Sequence, residues 1–425
     1  MMTLILFGFF FLLVILNVPI GVSLGLAASI GLIYADFPLS VIPGIMYSGT
    51  GKFALLAIPF FIMAGVIMDH ASISKRLIDF AQALVGHRKG GLIFVVVMVA
   101  CFFAAISGSG PATVAAIGPI LIPAMSEVGY GKAMPSALVS AAGAIGIIIP
   151  PSIAFVVYAS ITDVSVGKLF SAGIIPGILV GMAYYYGAVW DTRHDTIALR
   201  PKMNTAQRLT AFKDAVWGLL TPVIILGGIY AGIFIPTEAA GVAVVYGLFV
   251  GMFIYKEIKI KDLKDIFIDS AISSATVMLI VAAAAVYAWI LTTSSVAKEL
   301  SEGMLGISTN PYVLLFIINI IFLIAGCFLD ANSAFFILLP IIVPVLKAIH
   351  CDLIHAGVFL TVNMAIGQIT PPVGVNLYVG CNIGHVSVTD ICKRISPYLI
   401  SGIIALFIIT YIPIISLFIP NLGGK

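Results

Sequence analysis

The octapeptide Ala144-Ile145-Gly146-Ile147-Ile148-Ile149-Pro150-Pro151 returns as Ala365-Ile366-Gly367-Gln368-Ile369-Thr370-Pro371-Pro372, 221 residues further along the chain. A second pair keeps the same offset, Pro119-Ile120-Leu121-Ile122-Pro123 against Pro340-Ile341-Ile342-Val343-Pro344. Two separate motifs at one spacing mark an internal duplication. Pro19 and Pro236, each opening a run of small residues, form a looser third pair. Each half then reads as three helices, a hairpin, a helix broken at Pro-Pro and a closing helix, about 1–190 and 216–425.

Composition places this duplication in a bilayer. Of 425 residues 61% are hydrophobic and only 9% charged, against roughly 25% charged in soluble domains, and mean hydropathy is +1.19. The net charge of +3 is small and scattered, which excludes a nucleic-acid-binding face. Cys101, Cys327, Cys351, Cys381 and Cys392 show neither CxxC nor Cys/His spacing, so no transition-metal site or disulfide framework is expected. The apolar run from Leu4 lacks a basic n-region and reads as a retained membrane segment. No HExxH occurs, no acidic pair suggests an intramembrane protease, and all six histidines fall near expected interfaces. An enzyme is therefore not expected.

The basic residues report topology. Lys75, Arg76, Arg88 and Lys89 form one cluster; Arg193, Arg200, Lys202, Arg208 and Lys213 a second; Lys256, Lys259, Lys261 and Lys264 a third; Lys393 and Arg394 a fourth. With Lys132 these are sixteen of the 21 basic residues, and the positive-inside rule makes them cytoplasmic. Lys52, Lys168, Lys298, Lys347 and Lys425 are left outside, where loops such as 37–52 and 160–168 are expected to be short. Residues 72–85 and 296–304 predict helices lying in the membrane interface, as does 204–217. The apolar runs 91–105 and 113–125 are short for spans, and Ser107-Gly108-Ser109-Gly110-Pro111 separates them, which predicts a re-entrant hairpin opening to the cytoplasm. The matching runs 312–329 and 334–346, around Asp330-Ala331-Asn332-Ser333, open outward by the same count. The repeats are thus inverted, and inverted repeats with interrupted helices characterise secondary transporters. The expected parts are scaffold helices with an arm (1–90), a transport unit (91–190), a cytoplasmic linker (191–215), a second scaffold and arm (216–310) and a second transport unit (311–425).

Proline supplies no N–H, so Pro150 and Pro151 free the carbonyls of Gly146 and Ile147, and Pro371 and Pro372 those of Gly367 and Gln368. Dehydrated sodium suits such neutral oxygens. Two sodium sites follow, one around Ser107, Ser109, Gly146, Ile149 and Pro150, the other around Gly326, Asp330, Gly367 and Thr370. Thr113 adds a hydroxyl at the first tip, and Asn332 or Ser333 is the expected N-cap at the second. Asp330, a lone acid between apolar runs, marks an ion pathway or an exposed tip. Half-helix N-termini favour an anionic substrate beside Ser107, Gly108, Ser109 and Gly110 or beside Asn332 and Ser333, with Asn376 nearby. Thr370, Asn363, Gln368 and Asn376 contact ligand or bond neighbouring helices. Asp69 is expected at the interface.

With SGSGPATVAAIGPILIP from Ser107, AIGIIIPP from Ala144, IFIPTEAA from Ile233 and GQITPPVGVNLYV from Gly367, the chain resembles, over essentially its whole length, the large membrane subunit of tripartite ATP-independent periplasmic (TRAP) transporters. The resemblance implies an all-α, elevator-type, sodium-coupled importer of organic acids in the bacterial inner membrane. It also implies a small four-helix membrane subunit, expected here as a separate chain, and a periplasmic substrate-binding protein. The sequence looks most like the sialic-acid branch, with C4-dicarboxylate systems next. A stand-alone sodium/carboxylate symporter is the alternative, and a channel the more distant one, because opposed hairpins seal from both sides rather than line a continuous pore.

Overall fold

A computed structural model describes residues 1–195, 197–199 and 201–422; Arg200 and Lys425, assigned above from charge, lie outside them. The described chain is helical, with no strand among those residues. Eight of its helices are long and apolar enough to cross a membrane, so this is a multi-pass membrane protein.

The two halves follow one order of elements. In the first, Leu4–Gly8 and Phe9–Ile15, Ile20–Tyr34 and Ala57–His70 precede an arm, Ile73–Val85. In the second, Thr205–Tyr230, Pro236–Phe249 and Leu263–Thr293 precede the arm Val296–Ile307. Each arm starts after a serine in the left-handed region, Ser72 (φ 54°) and Ser295 (φ 62°). The hairpins are Gly91–Ser107 with Gly110–Met125 and Pro311–Gly326 with Ala331–Ala348. The broken helices run Ala133–Ala144 to Ile153–Thr162 and Leu353–Gly367 to Val375–Gly384, and Val166–Asp191 and Val388–Tyr411 close the halves.

Packing between the halves is reciprocal. Ile20–Tyr34 lies on Leu263–Thr293, and Ala57–His70 on Pro236–Phe249. Helix Gly110–Met125 packs on Val375–Gly384, and its counterpart Ala331–Ala348 on Ile153–Thr162, while the two closing helices pack on each other. Small residues permit these crossings: a Cβ on Gly187 would sit 3.0 Å from the Pro397 carbonyl oxygen, and Gly380 and Gly384 lie against the hydroxyls of Ser140 and Ser136.

The basic clusters meet at one end of the molecule. Arg76 pairs with Glu257 at 3.0 Å and stacks on the Tyr255 ring, joining the first and third clusters. Arg394 reaches Asp191 at 3.3 Å, joining the fourth to the second. His87, in the turn after the first arm, has its pKa lowered by desolvation and then by Arg208, Arg88 and Lys202. The positive-inside rule makes this end cytoplasmic. At the opposite end Lys52 Nζ donates to the Ser160 carbonyl.

Several expectations need correction. Residues 204–217 are not an interfacial helix. They open the continuous helix Thr205–Tyr230, whose start is fixed by a reciprocal cap between Asn204 and Gln207, so the linker ends near Asn204 rather than at 215. The loop 37–52 contains the helix Val41–Thr50, packed on Leu263–Thr293. The returning limb of the first hairpin is longer than its apolar run: Gly110–Met125 continues through the π-turn Ser126–Tyr130, long enough to span. His355 is enclosed rather than interfacial, 2% exposed, with Nε2 3.1 Å from the Thr410 carbonyl oxygen.

Candidate functional site

The first hairpin turns in two residues. Gly108 adopts φ +61°, and its amide bonds the Ala104 carbonyl at 3.1 Å. A Cβ there would lie 2.8 Å from the Pro151 carbonyl oxygen, so the tip requires glycine. Ser109 is extended, and Pro111 fills the first turn of the returning helix, where a missing N–H costs nothing. At the second tip the N-cap is Asp330, not Asn332 or Ser333. Its carboxylate accepts from the Asn332 amide at 3.0 Å, from the Ser333 amide at 3.4 Å and from the Ser333 hydroxyl.

Both tips are stitched to the segment that follows the proline pair of their own half. Ile153 N–H donates to the Gly108 carbonyl at 3.4 Å, and Gly374 N–H to the Cys327 carbonyl at 3.5 Å. The proline pairs themselves are both cis. Three of the four carbonyls expected to be free have partners. The Ser152 hydroxyl reaches Ile147 O at 2.5 Å; Thr370 N–H reaches Gly367 O at 2.9 Å, and Asn376 N–H reaches Gln368 O at 3.1 Å. The prolines do remove the helical donors, but the chain folds back to replace them. Only Gly146 O takes none of the hydrogen bonds found among the described residues.

Oxygen atoms nevertheless gather where the first sodium site was expected. Ser107 Oγ is 3.0 Å from Thr113 Oγ1, which in turn donates to Ser109 O at 2.8 Å. Gly146 presses against this group, a Cβ on it falling 2.7 Å from Ser109 O and 2.6 Å from Thr113 Oγ1. Thr113 is thus the member to add to Ser107, Ser109 and Gly146. Ile149 and Pro150 are buried beside the break, with the Ile149 side chain against Gly177. At the second site the backbones of Gly326 and Gly367 touch: a Cβ on Gly326 would be 2.8 Å from Gly367 Cα. Thr370 lies one turn on, its hydroxyl donating to Ile366 O at 2.7 Å. The Asp330 carboxylate is engaged with its own helix.

Between the tips lies a cavity of about 440 Å³, within the range of small-molecule sites. Its wall includes 107–111 of one tip, Asp330 to Asn332 of the other, and Ile147, Ile153, Gln368 and Val375 from the two breaks. Ile62, Gly65, Val66 and Asp69 of one scaffold helix and Ser273, Val277 and Ile280 of another complete it. Of the residues expected at substrate, Ser107, Gly108, Ser109, Gly110 and Asn332 line this space. Ser333 and Asn376 stand behind it, each fully buried; the Asn376 amide donates to Ser140 O at 3.2 Å. Asn363 bonds the neighbouring helix, donating to Asn319 O and Oδ1 at 2.9 Å. Ser273 escaped the sequence reading and Asp69 was expected only at the interface, because nothing local signals that their scaffold helices cross beneath the tips. Asp69 and Asp330 are the charged residues of the lining, and no lysine, arginine or histidine is among it.

A multi-pass helical body whose paired helix–turn–helix tips meet around one cavity has the architecture of a transporter permease. The chain belongs to the DctM family: residues 7–415 match "Tripartite ATP-independent periplasmic transporter, DctM component". It is 37% identical to the C4-dicarboxylate TRAP transporter large permease protein DctM of Rhodobacter capsulatus, covering 100% of both chains. It is 40% identical to the isethionate TRAP transporter permease protein DctMQ of Oleidesulfovibrio alaskensis, over 97% of this chain and 66% of that one. It is 35% identical to the sialic acid TRAP transporter permease protein SiaT of Haemophilus influenzae, over 87% of this chain and 60% of the relative. In fold it resembles the YdaH transporter of Alcanivorax borkumensis, with a TM-score of 0.63 at 16% identity, covering 93% of this chain and 89% of that structure.

Proposed function

We propose that this permease imports a small organic acid with sodium across the bacterial inner membrane, by an elevator movement of an inverted-repeat transport body. A periplasmic binding protein delivers the substrate, and a small four-helix membrane subunit braces the scaffold. The observation that carries this reading is the cavity: both tips and both breaks meet there, and each hairpin packs on the broken helix of the other half. Elements tied together in that way travel as one body, 91–160 with 311–385, against scaffold helices that contribute only the remaining wall. The reciprocal packing of the halves supports a pseudo-two-fold relation, and the charge pattern, by which the two hairpins open to opposite sides, supports its inversion.

The lining has no cationic side chain, so a carboxylate or sulfonate relies on helix N-termini, hydroxyls and sodium. Ser107, Ser109, Thr113 and Gly146 would hold one sodium ion, and Gly326, Gly367 and Thr370 a second. The relatives are named for sialic acid, C4-dicarboxylates and isethionate; the sequence favours sialic acid, then C4-dicarboxylates.

The test is uptake into proteoliposomes holding the permease and its small subunit. Uptake is expected only when sodium and the cognate binding protein are both supplied. Unchanged uptake with choline in place of sodium would refute the coupling, and vigorous uptake without binding protein would identify a stand-alone symporter. Ser107→Ala and Thr370→Ala each remove one hydroxyl oxygen while leaving backbone ligands. Both should raise the sodium concentration for half-maximal uptake several-fold, about one lost hydrogen bond's worth, with unfolding temperature unchanged.

A further inference from the structure

The two hairpin tips are alike in shape and unlike in charge. Helix Gly110–Met125 starts with no side-chain cap; Pro111 brings no N–H and the Thr113 amide bonds Ser109 O, which leaves the amides of Gly110 and Ala112, both in the cavity wall, available to an anion. The returning helix of the second hairpin already holds an anion at that place, the capping carboxylate of Asp330. Asp69 adds a further carboxylate to the wall. One anion position is therefore open and the other is filled from within.

Between these poles stand two carboxamides that make no side-chain hydrogen bond. Gln368 is 5% exposed; its Oε1 has no partner and is aimed at Gly110, against whose Cβ position it lies. Asn332 Oδ1 is buried and likewise unpartnered. Both side chains line the cavity. A buried amide without a partner is stabilised by ligand donors, and a site of this kind discriminates strongly against analogues that lack them.

Resting on the organic-acid reading above, we propose that the substrate is a monoanion bearing hydroxyl groups. Its anionic group sits at the uncapped start of Gly110–Met125, a hydroxyl next to that group donates to Gln368 Oε1, which lies against Gly110, and the hydroxyls further along meet Asn332 and the Asp330 side. Dicarboxylates are disfavoured, because their second charge would face the Asp330 carboxylate, which no lysine, arginine or histidine of the lining offsets.

Thermal unfolding and equilibrium binding of the permease purified with its small subunit, in sodium chloride, test this. The probes are N-acetylneuraminate, gluconate and isethionate as hydroxylated monoanions, succinate as dianion and butyrate as a monoanion without hydroxyls. At least one hydroxylated monoanion should raise the unfolding temperature and bind about tenfold or more tighter than succinate and butyrate. Gln368→Ala should weaken that binding about tenfold and Gln368→Glu further. Should Gln368 variants fail to fold, Asp330→Asn, which keeps a good N-cap while removing the charge, should gain succinate binding. Succinate or butyrate binding as tightly as the hydroxylated acids overturns the proposal while leaving organic-acid import standing, as does an Asp330→Asn protein with no gain for succinate. A protein that responds to none of the five fails the organic-acid reading, and this inference falls with it.

Discussion

Replacing Gly367 with alanine is expected to lower the unfolding temperature clearly and to cut uptake by an order of magnitude or more. The backbone of the second broken helix crosses the first limb of the second hairpin at this residue. A Cβ on Gly367 would stand 2.5 Å from Gly326 Cα and 2.7 Å from its carbonyl carbon. Those atoms belong to main chain, so relief requires two helices to part, which overpacking data put at about 1–3 kcal/mol. The same crossing holds Gly367 against Gly326 one turn before Thr370, so moving it disturbs the proposed second sodium site as well as the packing. Gly326→Ala should behave alike, its Cβ lying 2.8 Å from Gly367 Cα. Gly44 is the control: it is helical, and a Cβ there meets nothing within 4 Å. Gly44→Ala should hold or slightly raise the unfolding temperature, by helix propensity of up to about 1 kcal/mol. Equal responses from Gly44 and Gly367 would remove the crossing as the cause.

The order of elements was legible because it is written locally. Pro-Pro beside a glycine, the Ser-Gly-Ser-Gly-Pro tip and the clumped charges each act within a few residues, and their 221-residue offset ties the halves. The fate of the carbonyls was not legible. Ser152 Oγ and the Asn376 amide reach back across the break only after the chain has turned, and proline's missing donor says nothing of who replaces it. Asp330 shows the same limit in miniature. Its sequence context fits an ion pathway, yet the start of the following helix places its carboxylate over the Asn332 and Ser333 amides. The early start of helix Thr205–Tyr230 was missed for a different reason: the polar first turns looked interfacial, while the reciprocal Asn204 and Gln207 bonds simply start the spanning helix earlier. Gln368 stood out as polar, but its aim at Gly110 depends on two segments that are far apart in sequence.

A thiol placed in the cavity should change the side from which it reacts. Ala115 is exposed and lines the cavity on the returning limb of the first hairpin, outside both oxygen clusters. The wall continues along Ala57–His70 to Asp69 at its end, next to the arm whose Arg76 pairs with Glu257, so the mouth is at the basic, cytoplasmic end. At the other end Lys52, just before the scaffold helix, holds the Ser160 carbonyl on the transport side, which closes that route. With the five native cysteines replaced, Ala115→Cys should therefore react with a membrane-impermeant thiol reagent from the cytoplasmic side when sodium and substrate are absent. The proposed elevator movement would carry the residue past the scaffold. During turnover with sodium and binding protein, the same thiol should become reactive from the periplasmic side, going from essentially none to substantial modification. Lys52→Ala removes the outer contact and should raise periplasmic reactivity even at rest, since a two-state equilibrium shifts by the interaction lost from one state alone. Reactivity confined to the cytoplasmic side in every condition, with Lys52→Ala included, would mean that the tips and the scaffold do not move past one another.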